Sequence, residues 1–538
     1  MSFSLLFPAE FPAYRSTPPV FFEDLQLEGI FRAIVSKYME FDIRKYFYTI
    51  PDSPETVRYR QEIYRDLEHN AAMLSGLKQY TNRLLACEKC FRLSRQAEDQ
   101  LKKGSYLLLT CQNYLEALKL LQKTLLGADL SSRGFAKCRG LLQQKFDDPD
   151  FQKFDRAVRA SFSQMEQLQL TLLVRDQEIS VLEDGTEADQ RSVPQDDTEA
   201  DRRSVPQQLK RLIRAFDVRT DEAWEQAPDD VTNLFPAPLE TSPLENRIVD
   251  ILKKSRPSVF TMLREFASFS FSPEGDSFVQ LKNELCFYLS FYEFEQQLAA
   301  AGYELHVPEN IKEGSVEITG VYDLALAWKN RFSGTSVVPN DVSYQEGKSF
   351  LVITGPNQGG KTTLARAVGQ CIYFMLMGLK APCQSMKAPF FERILTHFEV
   401  EESVETGAGK LKEELQRLKP MMTMYADHSF VILNELFTTA TTYDAEIMAK
   451  KVMDHFTRHG CLGIYVTHIQ ELADETTQDG IQSMVAQVDE HDASVRTFKI
   501  KPMKAQGLGY SDHIVKKYGL DAEQVAQRIA GAIGGENG

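Results

Sequence analysis

The sequence predicts an α/β domain built around a phosphate-cradling glycine loop at the C-terminal end, preceded by a mostly α-helical region. Three observations carry that expectation. From about Thr56 to Leu125 the apolar residues recur three and four apart, the helical period. After about Gly302, short apolar runs alternate with helical stretches, the pattern of a parallel sheet covered by helices. One of those runs opens LVITGPNQGGKTTLARAVG, in which G-x-x-x-x-G-K-T extends from Gly355 to Thr362 between a strand and a helix.

Composition bounds the rest. The chain has 538 residues and is 43% hydrophobic, so it can bury more than one core. Its formal net charge is −15, which argues against a surface made for coating nucleic acid but leaves room for a local basic patch. The opening MSFSLLFPAEFPAYRSTPP has neither a basic start nor a long apolar core, so it does not read as a secretory signal. No run approaches the roughly 18 apolar residues of a membrane span. The eight cysteines are scattered. Cys87 and Cys90 form a C-x-x-C without a second ligand pair, inside a helical pattern, and read as ordinary reduced thiols. The expectation is a cytoplasmic protein without a membrane partner.

In chain order, residues 1–60 are mixed and aromatic-rich and are assigned to the helical core as its N-terminal segment. Residues 61–182 form a helical core or lever, with YRQEIYRDLEHNAAMLSGLKQY and SYLLLTCQNYLEALKLLQKTLL as its strongest helices. A further helix spans Phe151 to about Met165, and QLQLTLLVRDQEISVL alternates enough for a strand. Residues 183–207 hold a tandem repeat, DGTEADQRSVPQ then DDTEADRRSVPQ. Two polar copies without aromatics cannot build a solenoid and read as a disordered acidic loop. Residues 208–314 return to helices. One follows Ser242-Pro243 and is interrupted at Pro257; another runs from about Asp276 to Ala301. Residues 315–538 form the α/β domain, with strands expected at Phe350–Thr354, Phe430–Leu433 and Leu462–Thr467.

The glycine loop has a direct physical reading. Gly355, Pro356, Asn357, Gln358, Gly359 and Gly360 form a turn whose amide N–H groups can point at phosphate oxygens. The following helix adds its dipole to the same anion. Lys361 can reach the β- and γ-phosphates of ATP, and the Thr362 hydroxyl is a hard oxygen ligand for Mg²⁺, with Thr363 next to it. Downstream, FVILNELFTTATTYDA ends a second strand at Asn434, followed by Glu435. Glu435 is placed to orient or deprotonate a water attacking the γ-phosphate. A third strand, GIYVTH, ends at His468, a candidate sensor of that phosphate.

VVPNDV (Val337–Val342), TGPNQGGKTT, TTATTYDA and YVTHIQELAD together resemble the MutS family of DNA-repair ATPases, whose domain belongs to the ABC class. The final block FKIKPMKAQGLGYSDHIVKKYGLDAEQVAQRI resembles that family's C-terminal hairpin and dimerising helices. The likeness covers about residues 315–535. It implies a head-to-tail homodimer with composite sites. One protomer would supply Lys361, Thr362, Asn434, Glu435 and His468, with Thr362 and Asn434 at the metal. The other would supply its signature segment, with Asp444 in the loop that crosses between sites. Gln384 falls where the family links nucleotide state to the helical arms.

The sequence departs from that family in three places. Asn434 stands where an aspartate is usual, so the amide brings no charge to Mg²⁺ and the expected hydrolysis is slow. Gly409 stands where a signature serine meets the partner's γ-phosphate, leaving its backbone N–H and the helix dipole to serve. The mismatch-reading N-terminal domain has no counterpart in residues 1–60. The leading expectation is an ATP-driven conformational switch on duplex or branched DNA. A protein- or RNA-directed ATPase, for which a protein partner would have to be identified, and a non-hydrolysing nucleotide-gated scaffold remain alternatives.

Overall fold

The computed structural model describes residues 3–9, 13–166, 171–175, 178–182, 249–250, 252–254, 256–311, 314–398, 409–423, 428–476, 479–489 and 495–504. The acidic repeat and the C-terminal helices expected beyond residue 504 lie outside them. Two compact units emerge: Met1–Leu5 with Arg65–Leu289, and Leu6–Tyr64 with Ser290–Gly538. The sequence had placed residues 1–60 with the helices and the second boundary at 315. Instead, residues 6–64 group with the α/β unit, and the change of unit falls at Ser290.

The α/β unit begins with α1 (Phe21–Asp24), α2 (Leu27–Val35), α3 (Arg44–Tyr48) and the first part of α4 (Pro54–His69). The helical unit follows with α5 (Ala71–Gln96), α6 (Gln100–Leu126), α7 (Arg133–Asp147) and α8 (Pro149–Glu166). Next comes an antiparallel hairpin of β1 (Thr171–Arg175) and β2 (Glu178–Leu182), where the alternating pattern predicted a strand. Pro257 is the first residue of α9 (Pro257–Ala267), where its missing N–H costs nothing. The first part of α10 (Ser277–Ala300) completes this unit. Asp99 caps α6 by accepting the Lys102 N–H at 2.9 Å. Cys87, Cys90 and Cys111 are buried on the α5 and α6 faces. Burial raises all three thiols, Cys90 to about 11, so they stay protonated at neutral pH, as expected of packing thiols.

Past α10 the α/β unit carries β3 (Glu309–Ile311), β4 (Glu317–Val321), α11 (Leu324–Asn330), β5 (Asn340–Ser343), β6 (Phe350–Thr354) and α12 (Lys361–Leu376). It continues through β7 (Ser385–Pro389), β8 (Arg393–His397), α13 (Lys410–Thr423), β9 (Ser429–Asn434), α14 (Thr442–Arg458), β10 (Leu462–Val466), β11 (Ile481–Val488) and β12 (Arg496–Pro502). Strands β12-β11-β6-β10-β9-β8 form one sheet, parallel except for β12, and β3-β7-β4-β5 form a second. The interior strands β6 and β9 are buried at every position, as apolar runs in a sheet covered on both faces must be. Phe350, Val352, Val431 and Leu433 form a core with Ala449, Val452 and Phe456 of α14. Each such large side chain contributes about 1.5–3 kcal/mol by leaving water.

Helix α12 occupies the opposite face, and the N-terminal segment closes over it. Gly369 makes this possible: a Cβ there would stand 2.6 Å from both Ile432 of the sheet and Leu25 of the N-terminal segment. Gln370, fully buried, donates to the Leu25 carbonyl at 2.9 Å and accepts the Leu324 N–H at 2.8 Å. Tyr373 donates to the Phe47 carbonyl, and Thr396 to the Asp24 carboxylate. Phe22 meets Tyr373 edge-on at 5.4 Å. These contacts explain why residues 6–64 belong to this unit. Among the described residues no helix is long and apolar enough to cross a membrane.

Candidate functional site

Strand β10 lies between β6 and β9, all parallel, so the residues following these three strands share one edge of the sheet. That edge, at the carboxyl ends of parallel strands, is where α/β sheets bind ligands. Two backbone bonds knit it together: Thr467 donates to the Ile353 carbonyl at 3.1 Å and Glu435 to the Val466 carbonyl at 2.8 Å. The loop after β6, the Asn434–Glu435 pair and His468 are thereby gathered.

The glycine loop is wound as its composition requires. Gly355 has φ +122 and Gly360 φ +88, conformations that side chains disfavour. Gly355 also lies against Ala486 of β11, where a Cβ would come within 3.0 Å. Gly359 donates to the Pro356 carbonyl at 3.2 Å, and Gln358 takes the left-handed φ of 59 between them. Gly360 caps α12, and Thr363 continues its first turn. Lys361 is 5% exposed, and its ammonium donates to the carbonyls of Gly355 at 2.9 Å and Pro356 at 3.1 Å. Burial pulls its pKa below the usual lysine range, opposed by the Glu435 carboxylate and reinforced by Arg496.

Thr362 Oγ1 donates to Asn434 Oδ1 at 2.8 Å, so the two oxygens assigned to the metal are neighbours. Glu435 adopts φ 54, a left-handed conformation uncommon for a residue with a side chain, directly after the end of β9. His468 Nδ1 stands 3.8 Å from Glu435 Oε1, an ion-pair distance too long for a hydrogen bond. The imidazole holds the Glu435 carboxyl below its ordinary range, with burial opposing and Lys361 assisting. Glu435 is therefore a carboxylate at neutral pH, the form a base needs. A cavity of about 360 Å³ opens beside it, lined by Phe437, Thr438, Thr467, His468 and Gln470.

The remaining expected residues are placed less centrally. Gly409 is exposed, and its carbonyl accepts the Lys412 N–H at 2.8 Å at the start of α13. Gln384 donates its N–H to the Thr319 carbonyl at 2.8 Å, and its side chain lies against Gly320 in the second sheet. Among the described residues no hydrogen bond joins it to the Thr362–Asn434 group. Asp444 is not in a loop, as expected, but in the first turn of α14. There its carboxylate accepts from Thr441 Oγ1 at 2.7 Å while that oxygen accepts the Asp444 N–H at 3.2 Å. The spacing Thr441-x-x-Asp444 carried this cap in plain view.

Two residues beside the loop escaped sequence reasoning. Arg496 Nε donates to the Asn357 carbonyl at 3.2 Å. Phe498, about half exposed at φ 57, faces Gly360. Both bear on backbone from a strand far along the chain, which leaves no local signal.

A nucleotide triphosphate with Mg²⁺ suits these groups on chemical grounds. The loop supplies a helix N-terminus, a cradle without Cβ atoms at Gly359 and Gly360, and a lysine. Among the described residues no three His, Cys, Asp or Glu side chains converge as a metal cage. Thr362 and Asn434 are neutral oxygen donors of the kind Mg²⁺ takes when phosphates supply the charge.

Comparison with known proteins gives two family matches. MutS domain V matches residues 351–529, and the MutS2 N-terminal domain matches residues 52–166. The DNA mismatch repair protein MutS of Desulfitobacterium hafniense is 28% identical over 229 residues, 42% of this chain and 26% of that protein. The DNA mismatch repair protein msh-2 of Neurospora crassa is 31% identical over 137 residues, 25% of this chain and 15% of its own. MutS of Streptococcus pneumoniae is 25% identical over 193 residues, 35% and 23% of the two chains. The matched stretch thus spans about a quarter or less of the length of these curated relatives. One match falls on the helices and the other on the glycine loop with its neighbouring strands; the chain belongs to the MutS family.

Proposed function

We propose that this chain is an ATP-binding, slowly ATP-hydrolysing protein that works as a homodimeric conformational switch on duplex or branched DNA, in a process related to DNA repair. The observation that carries this is the gathering of Lys361, Thr362, Asn434, Glu435 and His468 on one sheet edge. The loop amides and Lys361 would bind the phosphates, Thr362 and Asn434 would hold Mg²⁺, Glu435 would orient the attacking water or take its proton, and His468 would sense the γ-phosphate. A Mg²⁺ ion held there would supply charge neutralisation to the bound phosphates. With Asn434 in place of an anion, metal binding relies on the phosphates, which makes turnover slow. The ABC-type arrangement would complete each site with Gly409 of a second copy. By this reading the protein is cytoplasmic.

Phosphate release from Mg²⁺-ATP, with and without duplex, branched and mismatched DNA, tests it against Glu435→Ala as the blank. DNA-stimulated turnover that the variant loses supports the reading. Turnover at the blank level throughout would sink it in favour of a nucleotide-gated scaffold. A second reading is a protein- or RNA-directed ATPase, and the net charge of −15, unfavourable to any nucleic-acid surface, favours its protein-directed form. Duplex binding that weakens steeply with salt would count against that alternative.

A further inference from the structure

Glu414 lies on α13, about one turn beyond its first residue, Lys410, which follows Gly409 directly. Its Oε1 accepts the backbone N–H of Phe437 at 2.7 Å. Phe437 belongs to the turn that carries Glu435, and that turn is unusual. Both Glu435, at φ 54, and Phe437, at φ 62, are left-handed, with neither a glycine. Such backbone persists only where its surroundings over-determine it.

Two hydrogen bonds do so here. Ahead of Leu436, the Glu435 N–H is held by the Val466 carbonyl at 2.8 Å. Behind it, the Phe437 N–H is held by Glu414. Leu436 itself is buried at 2% exposure, so the turn is pinned at both ends and in the middle. A carboxylate acceptor strengthens the second pin, since charge-assisted bonds to backbone N–H are shorter and stronger than neutral ones.

We infer that Glu414 is a positioning residue for Glu435: through the Phe437 N–H it sets the direction of the water-orienting carboxylate. It also makes α13, the helix that follows Gly409, a rigid lever on the hydrolytic residue of its own chain. Anything that displaces the exposed start of α13 moves the acceptor of the Phe437 bond with it. The inference rests on the ATPase reading above.

The test compares the full-length wild type with Glu414→Ala, Glu414→Gln, Glu435→Ala and, as a helix control, the exposed Gln416→Ala. It measures Mg²⁺-ATP turnover, ATP affinity and melting temperature. Glu414→Ala should lower kcat by about 100-fold through misplacement of Glu435. ATP affinity should stay within about twofold, because the loss falls on the chemical step. Glu414→Gln keeps an oxygen that can accept from Phe437 and should recover most of the turnover; Gln416→Ala should match the wild type. Wild-type turnover in Glu414→Ala would overturn the inference. So would equal loss of turnover, ATP binding and melting temperature in both Glu414 variants, which marks a general packing role. Wild-type turnover no higher than Glu435→Ala is a different result: it removes the ATPase reading itself and the inference with it.

Discussion

Thr362 and Asn434 are joined through their side chains, the hydroxyl donating to the amide oxygen at 2.8 Å across 72 positions of sequence. An amide there accepts the same bond a carboxylate would, so the geometry of the pair is kept while the charge is lost. Asn434→Asp should restore that charge without moving the pair. The Mg²⁺ concentration for half-maximal turnover should then fall about tenfold, and kcat should rise. A Mg²⁺ titration of phosphate release checks both; an unchanged midpoint would show that position 434 does not feel the metal.

His468→Ala should change the pH dependence of turnover. The imidazole is the largest cause holding the Glu435 carboxyl below its ordinary range. Without it that pKa rises, so Glu435 becomes protonated at higher pH than before. The acid limb of the pH–rate profile should therefore move upward, toward neutrality. An acid limb that stays in place in the variant would separate the two residues.

His397 gives a stability prediction. It ends β8 at 2% exposure, and neither ring nitrogen makes a hydrogen bond among the described residues. Burial, with Arg417 nearby, depresses its pKa from 6.5 to about 4. Between those values the unfolded chain binds a proton that the folded chain refuses. Stability is thus whole above the window and is lost as pH falls through it. At the acid end the loss is about 3 kcal/mol. His397→Leu should flatten that part of the curve in denaturant titrations run from pH 7 to pH 4.

Gly355→Ala should destabilise the α/β unit by about 1–3 kcal/mol, because it forces a side chain into φ +122. The added methyl would also press on Ala486. Pairing it with Ala486→Gly should relieve the contact but not the backbone cost. Full rescue by the double variant would mean that the contact alone mattered. Chemical denaturation of the three variants decides.

Much of the site could be read from the sequence because its physics is local. Phe350–Thr354 was expected and found, since an unbroken apolar run before a glycine-rich loop has few other uses. Strands at 430 and 462 followed from the same pattern, found as Ser429–Asn434 and Leu462–Val466. The first sixty residues were misplaced because their partners are on α12; Phe22 and Tyr48 look alike whether they face a helical core or a distant helix. Arg496 and Glu414 stayed hidden because they bind backbone atoms, which leave no trace in residue type. Asp444 was different: its cap was visible, but the resemblance drew attention to the loop before it.

The covering of α12 by the N-terminal segment bears on how the chain is made. Gln370 and the Leu25 carbonyl that it grips are 345 positions apart. A ribosome adding about 5–20 residues each second needs tens of seconds to bring the second to the first. Through that interval the aromatic cluster of Phe21, Phe22 and Tyr48 lacks the helix it packs against, while the whole intervening helical unit emerges. The α/β unit is therefore begun early and closed late, and its aromatics at Phe21, Phe22 and Tyr48 wait without that cover until α12 is made.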